Sequence, residues 1–223
     1  MISICVPLRN RSNQLLNTLI PSLRENPCRD QFWLSVYDCH SNDIPDLEKK
    51  IKDSWDNKRL IYTNTPARFT RSSAVNGAVR QASTEKIFIC DADISVHGSF
   101  SAEFNKHVKL GQIWFPIVWR LNKGESPPSG KGGWATKGRG MVGIQKTNFG
   151  ATGGLPTTIN QRYLRMVSQR HKATTNLRSW GGEDLYFFEM CNEKFTTIRQ
   201  NSKELFHHWH PNSKKDLNRY YNT

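Results

Sequence analysis

The sequence has no uninterrupted hydrophobic run long enough to span a membrane, so we expect no integral membrane segment. Hydrophobic residues make up 36% of the 223 positions, and the mean hydropathy is −0.66. Both values predict a soluble protein with a modest core. Residues 1–7 contain no basic leader and no cleavable apolar segment, which favours a first β-strand over a signal peptide and predicts a cytoplasmic location.

Cysteine is scarce, and its spacing argues against metal binding through sulfur. The five cysteines, none of them in a Cys-x-x-Cys pair, are Cys5, Cys28, Cys39, Cys90 and Cys191. An odd, scattered set of this kind is typical of reduced, mostly buried thiols.

Acidic residues are too few to balance the basic ones. The 19 Asp and Glu stand against 32 Lys and Arg, which gives a formal net charge of +13. Such an excess implies an anionic partner: nucleic acid, an acidic membrane surface, an acidic glycan or the phosphate of a small substrate. The basic residues are dispersed, with local clustering only over 203–219, so charge alone does not choose among these partners.

Short apolar segments alternate with amphipathic ones through the first 95 residues. Strands are predicted over 2–7, 32–37, 60–63 and 87–95, and helices over 12–23, 44–55 and 71–82. Pro21 is expected to kink the first helix or end it early. The β-α-β-α-β-α-β order predicts an α/β fold with a mostly parallel sheet flanked by helices, which binds nucleotide-type ligands at its carboxyl edge.

Beyond residue 95 the pattern predicts helices over 101–110, 157–169 and 185–191 and strands over 113–121 and 141–146. The long loop 124–140 holds six glycines and Trp134, which predicts a functional loop. We find no repeat and no linker. The chain is therefore expected to be a single domain, 1–223, with a nucleotide-binding half, 1–95, and an acceptor-binding and catalytic half, 96–223.

The apolar segment 87–90 runs directly into two carboxylates, Asp91 and Asp93, which are separated by Ala92. At the end of a buried parallel strand, such a pair can bind a divalent cation that carries phosphate. This predicts a metal-dependent enzyme acting on a phosphorylated donor. The alternative is a strand end whose two aspartates cap the next element and face water, and the triplet alone leaves both open.

A second acidic pair, Glu183 and Asp184, follows a Gly-Gly turn beside Trp180. The helix macrodipole favours acidic residues in a first turn, so a purely structural role is one interpretation. The other is functional. A tryptophan beside a glycine hinge offers a flat face for a sugar ring, and the neighbouring carboxylate can accept a proton from a hydroxyl.

Two further groups of side chains suit the same chemistry. The histidines at the end, His207, His208 and His210, together with the aspartates favour Mn²⁺ over Ca²⁺, although a polar surface cluster is the alternative. Four arginines follow strand ends or begin helices, where guanidinium groups suit a diphosphate, although each alone is more commonly a solvated charge. They are Arg9, Arg11, Arg68 and Arg71.

Together these motifs resemble, in the same order, those of the animal β-1,4-galactosyltransferases and their chondroitin-synthesising relatives, from residue 2 to about residue 219. The matching segments are Pro7-Leu8-Arg9-Asn10-Arg11, Phe69-Thr70-Arg71 with Asn76, Asp91-Ala92-Asp93, Asn148-Phe149-Gly150, Trp180-Gly181-Gly182-Glu183-Asp184 and His207-x-x-His210. The chain departs from the family in three ways. His207 replaces a Met, Leu185-Tyr186 replaces further acidic residues, and we expect no stem, membrane anchor or disulfides, as in a microbial or viral cytosolic version.

The resemblance implies a GT-A glycosyltransferase that uses a UDP-sugar and Mn²⁺ (or Mg²⁺), inverts the anomeric centre and modifies a carbohydrate or other hydroxyl acceptor. Asp93, His210 and His207 would bind the metal. Asp184 would be the general base, and Glu183 would hydrogen-bond the acceptor. Asp91 would hold the ribose or sugar, and Trp180 would cover the sugar. The full predicted donor-binding set is Pro7, Arg9, Arg11, Asp38, Phe69, Arg71, Asp91, Ala92, Trp180 and Gly182. Either 124–140 or the segment around 207–215 would close as a lid.

Three alternatives stay open at this stage. A basic nucleic-acid-binding protein is consistent with the charge and with the aromatic residues that lie among basic ones, although the sequence contains no known nucleic-acid-recognition motif. A glycosyltransferase with a nucleic acid as acceptor is a hybrid of the two. A nucleotidyltransferase on a similar sheet could share the aspartate pair, but it would release pyrophosphate rather than UDP.

Overall fold

The computed structural model describes residues 1–128, 130–158 and 182–210. Its strands are β1 (Ile2–Leu8), β2 (Phe32–Asp38), β3 (Leu60–Asn64), β4 (Lys86–Ile89), β5 (Ile94–Val96), β6 (Gln112–Trp114), β7 (Ile117–Arg120), β8 (Gly133–Trp134), β9 (Val142–Gln145), β10 (Thr196–Ile198) and β11 (Asn201–His207). The first helix, α1, joins three consecutive segments, Ser12–Gln14, Leu15–Leu19 and Ile20–Glu25. The others are α2 (Leu47–Ser54), α3 (Arg71–Gln81), α4 (Phe100–His107), α5 (Lys146–Thr152) and α6 (Gly182–Lys194).

A seven-stranded sheet in the order β10-β6-β9-β4-β1-β2-β3 forms the centre of the fold. Strand β9 is antiparallel to both of its neighbours, and the other pairs are parallel. The prediction of a single α/β domain with a mostly parallel sheet is therefore confirmed. Its division into halves at residue 95 stays a prediction.

Two apolar clusters cover the two faces of this sheet. Alternate residues of β1 point to opposite faces, so Ile4 and Val6 join the cluster beneath α1, α2 and α4, and Cys5 joins the cluster beneath α3, α5 and α6. All three side chains are fully buried. Burying a large apolar side chain stabilises the fold by about 1.5–3 kcal/mol, so the central strands give the ligand edge a rigid base.

A second sheet, in the order β5-β11-β7-β8, brings the segment 201–207 beside the segment that follows the aspartate motif. Strand β11 pairs antiparallel with β5, and this register sets His207 opposite Ile94. Because Ile94 directly follows Asp93, the pairing brings a histidine from the end of the chain beside the aspartate motif.

The structure corrects several predicted boundaries, and prolines account for two of them. Pro21 neither ends nor interrupts the first helix, because the π-helical turn Leu15–Leu19 before it widens the backbone and Pro21 enters the first turn of the following α-helical segment. The single strand predicted over 113–121 is instead β6 and β7, in different sheets. Pro116 lies between them and cannot donate to a ladder.

Other differences arise from long-range pairing. The strand predicted over 87–95 breaks at Asp91 and resumes as β5 in the second sheet. Strands β10 and β11 and helix α5 were not predicted. The helix predicted over 157–169 lies outside the described residues from 159 onward. Within the described ranges, no helix combines the length and the apolar character needed to cross a membrane.

Candidate active site

The adjacent parallel strands β4, β1 and β2 end at one edge of the sheet, and the predicted site residues follow them there. Asp91 and Asp93 follow β4, Arg9 and Arg11 follow β1, and Asp38 is the last residue of β2. Helix α3 begins at the same edge with Arg71, and α6 begins with Gly182, Glu183 and Asp184 in its first turn.

Asp93, His207 and His210 form a cluster that can hold a metal ion. The Oδ2 atom of Asp93 lies 3.1 Å from Nε2 of His210 and 3.7 Å from Nε2 of His207, and one ligand atom of each residue lies within 4.8 Å of the others. Ligands bound about 2.1 Å from a single ion are separated by about 3–4 Å, so these distances fit one divalent cation. The buried Oδ1 of Asp93 has no hydrogen-bond partner in the described part of the chain, which is also consistent with a ligand group.

Electrostatics favour an ionised Asp93. Burial would raise its pKa, but the hydrogen bond from His210 and the proximity of His207 and Arg11 outweigh burial and hold the pKa below its ordinary value. A carboxylate in this state is ready to bind a cation. The positive charge of Arg11, which follows β1, therefore helps to keep Asp93 ionised.

His208 has a different role from its two neighbours. Its Nε2 lies 2.8 Å from the Ser95 hydroxyl, which lies 2.8 Å from Nε2 of His97 as well. Its backbone N–H donates to the carbonyl of Asp93 at 2.9 Å. Burial lowers the pKa of both His208 and His97, so the Ser95 hydroxyl bridges two neutral imidazoles. His208 thus fastens the end of β11 to the turn before β5, while His207 and His210 face Asp93.

Arg71 joins the two acidic motifs. Its Nη1 donates to Oδ1 of Asp184 at 2.7 Å, and its Nη2 donates to Oδ1 of Asp91 at 3.0 Å and to the carbonyl of Gly140 at 3.0 Å. Only 6% of the Arg71 side chain is exposed. A Cβ atom at position 140 would lie 2.8 Å from Nη2 of Arg71 and 3.1 Å from Oδ2 of Asp184, so this close approach requires glycine.

The charged groups around Arg71 shift one another's pKa values. Burial raises the pKa of Asp184 to about 7, with Arg71 opposing this and Glu183 and Asp91 adding to it. Partial burial likewise raises the pKa of Asp91, whose side chain is 34% exposed, against the opposing effect of Arg71. Burial would lower the pKa of Arg71, but the two aspartates outweigh it and raise that pKa. A carboxylate with a pKa near neutrality suits a general base.

Asp38 is fully buried at the end of β2, where it accepts hydrogen bonds from within the protein. Its Oδ1 accepts from the backbone N–H of Ser41 at 2.9 Å and from the Ser41 hydroxyl at 2.6 Å, and its Oδ2 accepts from the Tyr62 hydroxyl at 2.8 Å. An open cavity of about 930 Å³ lies beside these groups and is also lined by Asn42 and Asn64. Asp38 therefore shapes the wall of this cavity.

The remaining predicted donor-binding residues occupy the same edge in different ways. The Arg9 guanidinium donates to the carbonyls of Cys39 and His40 and so ties the loop after β1 to the loop after β2. Pro7 lies in β1, half-buried, Phe69 is half-buried just before α3, and Ala92 is buried in the turn after β4. Trp180 lies outside the described residues.

The sequence did not predict the packing and hydrogen-bonding roles of Asn76, Gly140 and the loop 124–140. Asn76, part of the Phe-x-Arg segment, donates to the carbonyl of Leu155 and accepts from its N–H, both at 2.9 Å, which fixes the turn after α5. Nothing in the sequence distinguishes Gly140 from the other five glycines of its loop. Trp134, in the same loop, packs edge-on against Trp119 with ring centroids 5.0 Å apart, so it joins β8 to β7. A lid role for the loop stays a prediction.

Comparison with known proteins shows which proteins this chain resembles. Residues 3–109, just under half of the chain, match the family model described as glycosyl transferase family 2. The mouse (Mus musculus) protein N-acetyl-beta-glucosaminyl-glycoprotein 4-beta-N-acetylgalactosaminyltransferase 1 is 25% identical over 216 residues, which cover 94% of this chain and 19% of the relative. The chain thus spans about a fifth of that protein.

Two solved structures have similar folds. S. aureus TarS 1–349 in complex with UDP-GlcNAc gives a TM-score of 0.63 at 16% identity, covering 96% of this chain and 60% of that one. Mannosyltransferase PcManGT from Pyrobaculum calidifontis, in complex with GDP-Man and Mn²⁺, gives 0.63 at 15% identity, covering 92% and 56%. At these identities the likeness concerns the fold, which is that of the GT-A glycosyltransferases.

Proposed function

We propose that the chain is a metal-dependent, inverting glycosyltransferase. It moves a hexose or N-acetylhexosamine from a UDP-sugar to a hydroxyl acceptor. The match of residues 3–109 to the glycosyl transferase family 2 model and the fold shared with known glycosyltransferases support this proposal. One observation carries the proposal: the cluster of Asp93, His207 and His210 lies beside the Arg71-linked carboxylates of Asp91 and Asp184.

Asp184 is the general base of the proposed reaction. The acceptor oxygen attacks C1 of the sugar from the face opposite UDP, and its proton passes to the Asp184 carboxylate. The new C1–O bond forms as the bond from C1 to the phosphate oxygen breaks, and that electron pair leaves with UDP. Attack from the opposite face inverts the anomeric centre. General-base assistance of this kind contributes about 10²–10⁴-fold to the rate.

Asp93, His207 and His210 would hold the divalent ion. A carboxylate and two imidazoles suit Mn²⁺, and Mg²⁺ is the alternative with a weaker preference for nitrogen ligands. When bound, such an ion neutralises the negative charge that develops on the departing diphosphate. The fold neighbour that binds Mn²⁺ supports this assignment.

The nucleoside of the donor would enter the cavity beside Asp38 and Tyr62, and its diphosphate would lie towards Arg11 and Asp93. Asp91 would bind the ribose or the sugar, Glu183 the acceptor, and Trp180 would cover the sugar, as the family resemblance implies. The names of the relatives make UDP-GalNAc and UDP-GlcNAc the first donors to test. Cytoplasmic location and a carbohydrate acceptor stay predictions.

The test measures products from a panel of UDP-sugars with Mn²⁺, with Mg²⁺ or with a chelator. We expect slow metal-dependent release of UDP and free sugar, which Asp93→Asn abolishes. Glu25→Gln is the matched control, because Glu25 is an exposed carboxylate at the end of α1. Full activity with the chelator, or in Asp93→Asn, would overturn the metal-dependent mechanism. Release of pyrophosphate would instead identify a nucleotidyltransferase.

A further inference from the structure

One guanidinium binds both functional carboxylates. Arg71, at the start of α3, reaches Asp184 in α6, 113 residues away along the chain, and Asp91 in the turn after β4. Both hydrogens of its Nη2 are used, one by Asp91 and one by the carbonyl of Gly140. The resemblance implies a contact with the donor diphosphate, but this nitrogen has no further hydrogen to donate.

The two oxygens of Asp184 differ in their surroundings. Oδ1 accepts from Nη1 of Arg71, whereas Oδ2 would lie 3.1 Å from a Cβ atom added at position 140. A side chain at position 140 would therefore crowd Oδ2, and glycine leaves this oxygen uncovered on that side. A carboxylate fixed through one oxygen presents the other in a defined direction, which a base needs in order to meet the acceptor proton.

We propose that Arg71 is a positioning residue for Asp184: it holds Oδ1, so that Oδ2 takes the proton of the acceptor hydroxyl. This inference rests on the proposed function. Arg71 acts through Asp184 rather than on the donor, and the same cation also holds Asp91, so the donor-side carboxylate and the base share one anchor.

The charges around Asp184 give this role a measurable signature. Among the described residues, the charged groups that act on it are Arg71 from α3, Asp91 from the turn after β4 and Glu183 from α6 itself. Arg71 is the positive one, and it opposes the rise in the pKa of Asp184 that burial causes. Without it, the carboxyl faces two acidic groups in a buried site and remains protonated to higher pH.

The experiment compares Arg71→Met and Arg71→Lys with the wild type across the pH range in which Asp184 titrates. In Arg71→Met we expect kcat to fall about 10²-fold, the KM for the UDP-sugar to change little, and the acidic limb of the pH–rate profile to move to higher pH. Arg71→Lys keeps the charge but places all its donors on one nitrogen and lacks the planar fork that binds Asp184 and Asp91 from two nitrogens, so the limb stays near its original position while kcat falls by less. Arg80→Met is the control, since Arg80 is exposed on the same helix.

A second measurement does not depend on turnover. The carboxyl carbons of ¹³C-labelled aspartate are followed by NMR, and Asp184→Asn identifies the Asp184 signal. We expect Arg71→Met to raise the titration midpoint of Asp184 and Arg71→Lys to leave it close to the wild-type value. An unchanged midpoint in Arg71→Met overturns the proposal, as does a rise in donor KM with the acidic limb unmoved. A wild type that releases no UDP from any donor, with the midpoint still shifted, overturns the proposed function alone.

Discussion

Replacing Gly140 with alanine should impair catalysis far more than the addition of one methyl group elsewhere in the same loop. The added Cβ would lie 2.8 Å from Nη2 of Arg71 and 3.1 Å from Oδ2 of Asp184. Comfortable contact between such atoms begins near 3.5 Å, so the guanidinium must move by about 0.7 Å. Arg71 is nearly fully buried, and its bonds to Asp91 and Asp184 oppose that movement.

This displacement of the guanidinium should lower both the free energy of unfolding and the rate of the reaction. Overpacking a buried, well-ordered site costs about 1–3 kcal/mol of folding free energy. A misplacement approaching 1 Å at a catalytic group can lower the rate about 10²-fold. We therefore expect Gly140→Ala to fold with a lower midpoint of denaturation and to release UDP about 10²-fold more slowly at saturating donor.

The assay is UDP release at a pH above 7, where Asp184 is ionised, together with urea denaturation. Gly138→Ala is the matched control, because within the described ranges a Cβ there would meet only the carbonyl of Ala135, at 3.7 Å. Equal activity of the two alanine variants would refute the argument that Gly140 leaves room for Arg71 and Asp184.

Three further predictions address the base, the metal cluster and the turn after α5. Asp184→Asn should lower kcat about 10²–10⁴-fold with little change in donor KM. Since the pKa of Asp184 is raised to about 7, wild-type kcat should fall as the pH falls through that value and this carboxylate is protonated; a flat profile there would contradict the assignment. His210→Ala should raise the half-saturating Mn²⁺ concentration far more than His208→Ala, because His210 faces Asp93 and His208 faces Ser95; equal shifts would contradict the metal cluster. Asn76→Leu should lower the free energy of unfolding in urea by about 1–3 kcal/mol, because it leaves both backbone groups of Leu155 without their partner; an unchanged value would show that water replaces Asn76.

Local patterns in the sequence were sufficient for the parallel strands β1, β2, β3 and β4 and for the motifs at their carboxyl ends. Apolar segments ending in polar residues predicted β1, β2 and β4, and parallel strands place their ends together. The prediction that Asp93 and His210 meet also agrees with the 3.1 Å between them. The chemical roles of these residues stay predictions.

Features that depend on distant pairing could not be predicted. Strand β11 is partly polar, and its place is fixed by β5 and β7, which lie far away along the chain. The partners of Arg71 come from three separate segments, so no spacing in the sequence predicts that it binds Asp184 and Gly140 rather than phosphate. Trp180, which carries much of the resemblance, lies outside the described residues.

The pairing of β11 with β5 links cation affinity to the docking of the segment 201–210 against β5. Two of the three candidate ligands arrive only when the segment 201–210 docks, so an ion that they share with Asp93 is lost whenever that segment opens. By mass action, rising Mn²⁺ should then suppress opening and slow amide hydrogen exchange in β11 above all. The ion would then stabilise the docked segment as well as take part in the reaction, and without the metal this part of the fold would be less stable.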